Sequence, residues 1–225
     1  MTEELLAELR KITPEEQRIL SGQNGIEKEL YVSSGGNIFD AEKLLESGRL
    51  ITVRPHTRFV HFPEHTHNYV EVIYMCSGST RHIINGKEVC LNKGELLFLN
   101  QNAVQEIYPA GEEDIAVNFI ILPEFFDYAL RMMETEENLL RQFVVDSLRE
   151  KNSAAAYLHF KVADVLPVQN LVENLIWTIW NRQPNKRSIN QATMGLLFLQ
   201  LMNQIDRVET DGTTEEQKLM MTVLG

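Results

Sequence analysis

The sequence predicts an α+β fold in which an antiparallel β sandwich or barrel is flanked by helices on both sides. From Leu50 to about Ile121, short β-rich runs alternate with turn residues, a spacing typical of such β domains. Capped helices are indicated before this part, and after Pro123 apolar residues recur at helical spacing. We therefore expect N-terminal helices over 1–49, a β domain over 50–122, a helical region over 123–208 and a linker over 209–225.

The N-terminal part carries clear helix signals. Thr2–Leu9 is amphipathic, and Thr13–Glu16 forms a capping box with proline at the first helical position. Asp40 is expected to cap a short helix that runs through Leu45. These helices are expected to pack on the β domain.

Eight runs of the β domain are expected to form strands: LITV, RFVHF, YVEVIYMC, TRHII, KEVCL, ELLFL, VQEIY and IAVNFIIL. Asn85-Gly86 is a strong signal for a two-residue hairpin turn, which would pair Arg81 with Cys90. Cys76 would then lie too far along the neighbouring strand for good disulfide geometry. We expect two reduced, mostly buried thiols, as in a cytoplasmic protein.

Composition excludes several classes of function. The 225 residues carry a formal net charge of -11, so the chain is a poor electrostatic match for nucleic acid. No run of about 18 apolar residues occurs, and the first residues, MTEELLAELRKI, are charged throughout. We expect neither a membrane span nor a signal peptide, and a cytoplasmic location.

The stretch HTHNYVEVIYMCSG, from His65 to Gly78, holds the strongest candidate site. If it formed one strand, alternate side chains would share one face. That face would carry His65, His67, Tyr69, Glu71, Ile73 and Met75. Two imidazoles and a carboxylate followed by apolar residues indicate the wall of a pocket. An inward-facing Glu71 needs a partner, which could be an imidazole, a water, a metal ion or a ligand.

The spacing His65-x-His67-x3-Glu71-x6-Gly78 resembles the first motif of the cupin superfamily, whose fold is a small antiparallel jelly-roll barrel. Phe59 stands where that motif usually begins with glycine. The resemblance thus makes the predicted β domain a cupin barrel.

The second cupin motif is matched in part by GELLFLNQNAVQ. Gly94 fits its start, but Asn100, Asn102 and Gln105 stand at the proline, second glycine and histidine positions. In cupin enzymes that histidine is the usual fourth metal ligand. The resemblance implies that any metal would be held by His65, His67, Glu71 and Gln105. Because Gln105 stands in place of that histidine, we expect a site without metal or other cofactor.

From Leu50 to Val208 the order of parts resembles the effector-sensing half of AraC-type transcriptional regulators. In that family the cupin binds a small molecule, often a sugar or related metabolite, and the following helices mediate dimerisation. A separate C-terminal domain with two helix-turn-helix motifs reads DNA. The resemblance implies a polar effector, a homodimer through the C-terminal helices, and DNA contact only through a domain that this chain lacks.

The C-terminal helical region leaves two interpretations of one apolar stripe. The stripe comprises Met194, Leu197, Phe198, Leu201, Met202 and Ile205. It could pack on the β domain, or part of it could form the dimer interface. After it, Asp211–Thr214 is typical of a linker turn, and Glu215–Leu224 begins a further helical pattern.

Three functions remain open. In the favoured one, a non-enzymatic pocket binds a polar effector through His65, His67, Tyr69, Glu71 and Gln105, with Ile73 and Met75 as apolar walls. The alternatives are a metal-dependent cupin enzyme, a dioxygenase or isomerase, and a filled barrel without a ligand. We expect His56, His61 and His82 to be ordinary strand or loop histidines outside the pocket. Arg54 and Arg58 are expected to form surface salt bridges, and an anionic effector is their alternative partner.

Overall fold

The computed structural model describes residues 1–33, 36–133, 138–149 and 155–211. The helices are α1 Glu3–Arg10, α2 Pro14–Leu20, α3 Ala41–Leu44, α4 Asp127–Met132, α5 Leu139–Leu148, α6 Leu166–Trp180 and α7 Lys186–Met202. The strands are β1 Ile38–Phe39, β2 Ile51–Pro55, β3 Phe62–His67, β4 Val70–Ser77, β5 Ser79–Ile84, β6 Lys87–Asn92, β7 Leu96–Leu99, β8 Gln105–Ile107, β9 Ile115–Ile121, β10 Tyr157–Phe160 and β11 Val208–Thr210.

The strands form two sheets, which confirms a mixed α+β fold. One sheet has the order β1-β3-β8-β5-β6 and the other the order β11-β10-β7-β4-β9-β2. All pairs are antiparallel except β1 with β3. Among the described residues no strand ladder joins the two sheets, so the expected closure into a barrel is not detected.

The six-stranded sheet is the middle layer of the molecule. Along β4, Val72 and Tyr74 face the helices and belong to the large core with α6 and α7. Ile73 and Met75 alternate with them and pack toward the five-stranded sheet. Because both faces of β4 are covered, nearly every residue of this strand is buried.

The predicted N-terminal helices are present with their predicted starts. Thr13 and Glu16 complete the capping box at α2, and the Asp40 side chain accepts from the Glu42 N–H at α3. Leu5 and Leu9 of α1 are buried in the large core. Local capping residues therefore determine where these helices begin.

The Asn85-Gly86 hairpin is confirmed in register. Arg81 pairs with Cys90, as the two-residue turn predicts. Asn85 and Gly86 have φ of 50° and 78°, both left-handed, which this turn requires. Both cysteines are free, with Cys76 buried but Cys90 exposed, so the expected burial holds for only one of them.

The prediction of helix alone after Pro123 was wrong in two places. β10 pairs with β7, and β11 then pairs with β10 at the sheet edge. A four-residue apolar run such as YLHF cannot be assigned to strand or helix by periodicity alone. The expected linker begins within β11, and the helical pattern expected over 215–224 lies outside the described residues.

The apolar stripe of α7 packs inside the protein. Met194, Leu197, Phe198 and Leu201 are buried in the large core, and the Phe198 ring stacks on Phe126 at 5.3 Å. Met202 and Ile205 pack against the same core from partly buried positions. The structure therefore favours the interpretation in which the stripe packs on the β domain over the one in which it forms a dimer interface.

Two motif glycines are fixed by close packing. At Gly78, φ is 70° and a Cβ would collide with the Asp114 carboxylate, which accepts from the Ser79 N–H at 2.9 Å. At Gly94, φ is 83° and a Cβ would lie 2.8 Å from Ala163 Cα. Both positions thus require glycine for conformation and for space.

The predicted strand RFVHF was wrong, because β3 begins only at Phe62. Phe59 in that run has φ of 68°, a left-handed conformation that a bulky residue rarely adopts. Its N–H donates to the Ala110 carbonyl at 2.9 Å, which holds the backbone there. The position where the cupin motif has glycine thus keeps glycine's backbone conformation although the side chain differs.

This geometry predicts an unusual order of stabilities at position 59. Because left-handed backbone costs a non-glycine residue about 1–2 kcal/mol, Phe59→Gly should be more stable than Phe59→Ala by about 1 kcal/mol. Urea unfolding of the two variants measures the difference directly. An alanine variant at least as stable as the glycine variant would contradict the strain.

Candidate functional site

The predicted single strand from His65 to Gly78 was wrong, because the chain bends at Asn68 and Tyr69. β3, with His65 and His67, belongs to the five-stranded sheet, whereas β4, with Glu71, belongs to the six-stranded sheet. His67 Nε2 nevertheless lies 3.6 Å from Glu71 Oε2, since the two strands meet at the bend. The predicted side chains therefore converge between the sheets, from two strands.

Glu71 is a buried carboxyl group with one hydrogen bond. Its Oε1 accepts from Asn118 Nδ2 at 2.8 Å, and its Oε2 has no partner. Burial raises the pKa of Glu71 to about 7, against the lowering effects of Asn118 and Arg54. Burial also holds the pKa of His67 well below its usual value, so the contact between them is not an ion pair at neutral pH.

His56, in the segment after β2, is hydrogen-bonded to the same Asn118 of β9. Its Nδ1 lies 3.0 Å from Asn118 Oδ1, which can only accept, so His56 Nδ1 carries the proton and donates. Its Nε2 is then a bare acceptor, buried and without a partner. Burial lowers the pKa of His56, which keeps the ring in this neutral form.

A second network runs through the five-stranded sheet. Gln105 Nε2 donates to His82 Nδ1 at 3.0 Å, so His82 carries its proton on Nε2. That nitrogen donates to Thr80 Oγ1 at 2.9 Å, and the Thr80 hydroxyl in turn donates to Met75 Sδ at 3.8 Å. His82 is fully satisfied, whereas Gln105 Oε1 is buried without a partner.

His65 is held by the Pro63 carbonyl and by Phe39, and its side chain lies next to Gln105 of the second network. Its Nδ1 donates to the Pro63 carbonyl at 2.8 Å, and its ring stacks on Phe39 with centroids 4.0 Å apart. Burial lowers the pKa of His65 to about 4. The ring is therefore neutral and fixed in orientation at physiological pH.

The space between the sheets is rich in unused hydrogen-bond acceptors. Of the seven buried side-chain atoms without a partner in the described part of the chain, five belong here. They are His56 Nε2, His67 Nδ1, His67 Nε2, Glu71 Oε2 and Gln105 Oε1. Since neutral His67 supplies one donor and one acceptor, four of the five are acceptors when Glu71 is ionised. Such groups are costly unless water or a ligand satisfies them.

A small cavity adjoins this cluster. It measures about 40 Å³, enough for a few water molecules, and opens between polar and aromatic side chains. Its polar wall is formed by Arg54, His56, His65, Glu71 and Asn118, and its apolar wall includes Phe39 and Ile120. Water can fill this cavity as it stands, and a larger ligand needs it to widen.

The structure brings together four of the seven predicted residues: His65, His67, Glu71 and Gln105. Tyr69 packs in an aromatic cluster with Phe39 and Phe62 but also lines the cavity. Ile73 and Met75 lie deeper, in the apolar core between the sheets.

Three polar residues of the cluster were missed by the sequence analysis. His56 and His82 are 4% and 0% exposed, so they are not the ordinary strand or loop histidines expected. The alternation of Thr80, His82 and Ile84 along β5 placed His82 on the inward face. Asn118 interrupts the apolar run IAVNFII, and a lone polar residue in such a strand signals a site.

The residues that would hold a metal if one were bound, His65, His67, Glu71 and Gln105, are not grouped as a metal site requires. Among residues 1–33, 36–133, 138–149 and 155–211, no three His, Cys, Asp or Glu side chains lie together as a metal site needs.

Two packed sheets with buried polar side chains and a cavity between them define a small-molecule-binding domain. The model of the AraC-like ligand-binding domain matches residues 47–202, about two thirds of the sequence. The chain belongs to this family. None of the curated proteins matches it.

The chain is similar to several solved structures at low identity. An apo variant of ToxT from Vibrio cholerae has a TM-score of 0.50 at 12% identity, covering 80% of this chain and 66% of its own. ToxT bound to an unsaturated fatty acid has a TM-score of 0.46 at 13% identity, covering 70% and 54%. The AraC-like transcriptional activator CuxR has a TM-score of 0.34 at 10% identity, covering 58% and 42%. The chain thus spans about half to two thirds of the length of these ToxT chains.

Proposed function

We propose that this chain is the effector-sensing and dimerisation part of an AraC-type transcriptional regulator, acting by binding and without catalysis. Its effector is a small polar molecule rich in hydrogen-bond donors, such as a sugar, and it binds between the two sheets. The observation that carries the proposal is the set of buried acceptors on His56, Glu71 and Gln105 that have no partner.

Hydroxyl groups match these acceptors well. A sugar hydroxyl donates one hydrogen bond and still accepts from another group, so one molecule can serve several acceptors. Arg54 lines the same cavity and supplies a donor for the hydroxyl oxygens. Aromatic rings such as Phe39 and Phe62 provide the apolar surface that small-molecule sites combine with a few polar groups.

Effector binding must change the protein, because about 40 Å³ is too small for a sugar. The effector favours a widened arrangement of the two sheets over the closed one. Signalling follows from this differential affinity, since a ligand shifts an equilibrium only by preferring one state. The six-stranded sheet packs directly on α6 and α7, so its movement reaches the helices.

Dimerisation is assigned to the helical region after β9. Because the predicted stripe of α7 is buried, the dimer contact falls on exposed apolar side chains of the same helices. These are Trp177, Ile189 and Leu196, which are 45%, 38% and 48% exposed. DNA binding is assigned to a separate C-terminal domain, because this chain is strongly acidic.

The location is assigned to the cytoplasm, where such a regulator meets DNA. No helix of the described residues has the length and apolar character needed to cross a membrane.

A thermal-shift panel tests the proposed class of effector. We expect one or more members of a set of pentoses, hexoses and the corresponding polyols to raise the melting temperature of the 225-residue chain. A ligand that binds only the native state stabilises it by RT ln(1 + [L]/Kd), so a concentration of 100 Kd adds about 2.7 kcal/mol. The test variant is Gln105→Leu, which lacks one buried acceptor and should lose most of the shift in melting temperature. Equal shifts in both proteins would place the ligand elsewhere.

A further inference from the structure

A second, larger cavity lies outside the space between the sheets. It measures about 200 Å³ and opens between the start of β2, the segment before α4, and helices α6 and α7. Ile51, Phe125 and Ile179 form its apolar wall, and all three side chains are largely buried. None of the residues predicted from the sequence as site residues lines this cavity.

Cationic side chains surround the cavity in a protein that is otherwise strongly acidic. Arg49, Lys186 and Arg187 line it. The Glu46 carboxylate is shared, since it pairs with Arg49 and also with Arg182. Within the described part of the chain, no carboxylate lies within 4 Å of the charged nitrogens of Lys186 or Arg187. Burial and the neighbouring Arg49 lower the pKa of Lys186, against the raising effect of Glu46.

The first turn of α7 adds to this positive field. α7 has 17 residues, and its first residues, Lys186 and Arg187, line the cavity. Asn185 precedes the helix in a left-handed conformation, and no side chain caps the helix start. The first N–H groups of a helix carry partial positive charge and favour an anion.

Asn190 provides an independent indication of a ligand. It is 2% exposed and lines the cavity, and its Oδ1 has no hydrogen-bond partner. A buried amide without a partner is unfavourable, and rotation about its last torsion presents either its oxygen or its NH₂ group to a ligand. The amide can therefore accept from a ligand hydroxyl or donate to a ligand carboxylate.

We propose that this cavity is a second ligand site, which binds a small organic monocarboxylate with an apolar body. The carboxylate lies against Lys186, Arg187 and the start of α7, and the Asn190 amide donates to it. The apolar body lies between Ile51 and Ile179. This site is separate from the proposed sugar site and differs from it in charge, because Arg49, Lys186 and Arg187 line this cavity, whereas the space between the sheets holds the buried Glu71 carboxyl group.

Methyl NMR with hexanoate as the probe tests the proposal on the 225-residue chain. The isoleucine δ1-methyl signals of Ile51 and Ile179 should shift on titration and saturate. Those of Ile73 and Ile120, which lie between the sheets, should stay in place. Hexanol and hexylammonium, which share the apolar body but lack the negative charge, should bind at least about tenfold more weakly.

Paired variants locate the charge. The double variant Lys186→Gln/Arg187→Gln should weaken hexanoate binding by about tenfold or more, because both cations at the rim are lost. The control Lys93→Gln/Arg149→Gln removes the same charge from exposed positions that do not line the cavity, and should bind as the wild type does. Three results would each overturn the proposal: unmoved Ile51 and Ile179 signals, equal binding of hexanol, or equal affinities of the two double variants. Since Glu71 is not involved, failure here leaves the sugar site untouched.

Discussion

Replacing Arg58 by alanine is expected to lower the free energy of unfolding by about 3–5 kcal/mol, the largest single effect that this structure predicts. Arg58 is 2% exposed, and its Nε and Nη2 donate to the Glu16 carboxylate at 2.7 and 3.0 Å. It also donates to the backbone carbonyls of Glu112 and Arg10, so it joins α1 and α2 to the loop before β9. The expectation of a surface salt bridge at Arg58 was therefore wrong.

The cost arises chiefly from the partner left behind. Glu16 is 1% exposed; burial alone would raise its pKa, but hydrogen bonds from Arg58 and from the Thr13 N–H hold the pKa below its usual value. Without Arg58, a buried carboxylate keeps its desolvation penalty and loses its counterion.

Urea unfolding at neutral pH measures this loss, and Arg10→Ala is the matched control. Arg10 pairs with Glu113 on the surface, where both side chains are well exposed, so its removal should cost no more than about 1 kcal/mol. The double variant Arg58→Ala/Glu16→Gln should recover part of the stability, because the unpaired charge is gone. A loss at Arg58 no greater than at Arg10 would contradict the buried pair.

Glu71→Gln is expected to stabilise the protein at alkaline pH by up to about 3 kcal/mol, and to leave stability unchanged below about pH 4.5. The pKa of Glu71 is raised to about 7 in the folded protein, from 4.5 when the side chain is free. Between these values the folded state holds a proton that the unfolded state has released. Stability therefore falls as pH rises through this window, by about 1.4 kcal/mol per unit at most. Glutamine mimics the neutral form and removes this fall.

Unfolding of both proteins from pH 4 to pH 8.5 measures the difference. The buried histidines have lowered pKa values, so they reduce stability as pH falls below 6.5, but they do so in both proteins and cancel in the comparison. A Glu71→Gln variant whose advantage does not grow between pH 5 and pH 8 would show that Glu71 is not a buried carboxyl group.

Local signals in the sequence predicted the elements that short-range chemistry determines. The turn at Asn85-Gly86 set the register of β5 and β6, and Thr13 with Glu16 set the start of α2. The bend at Asn68 could not be predicted in this way. The period-two alternation continues across it, so a single strand and a crossing between sheets give the same pattern.

Long-range contacts decided the rest. β10 is a strand because it pairs with β7, about 60 residues earlier, and the isolated run YLHF carries no such information. His56 and Asn118 meet across 62 residues, so neither position alone revealed the network. The residues of one motif were predictable, whereas the partners that make them a site depend on the fold.

Calorimetric titration of the most stabilising sugar from the panel, into wild type and Glu71→Gln at pH 8, tests the central proposal most directly. At this pH the wild-type carboxylate accepts from the ligand, whereas glutamine presents an NH₂ group in place of Oε2 or turns away from Asn118. We expect at least a tenfold loss of affinity in Glu71→Gln, and unchanged affinity in Lys93→Gln, which removes an exposed side chain that does not line the cavity. Equal affinity of wild type and Glu71→Gln would contradict an effector site between the two sheets.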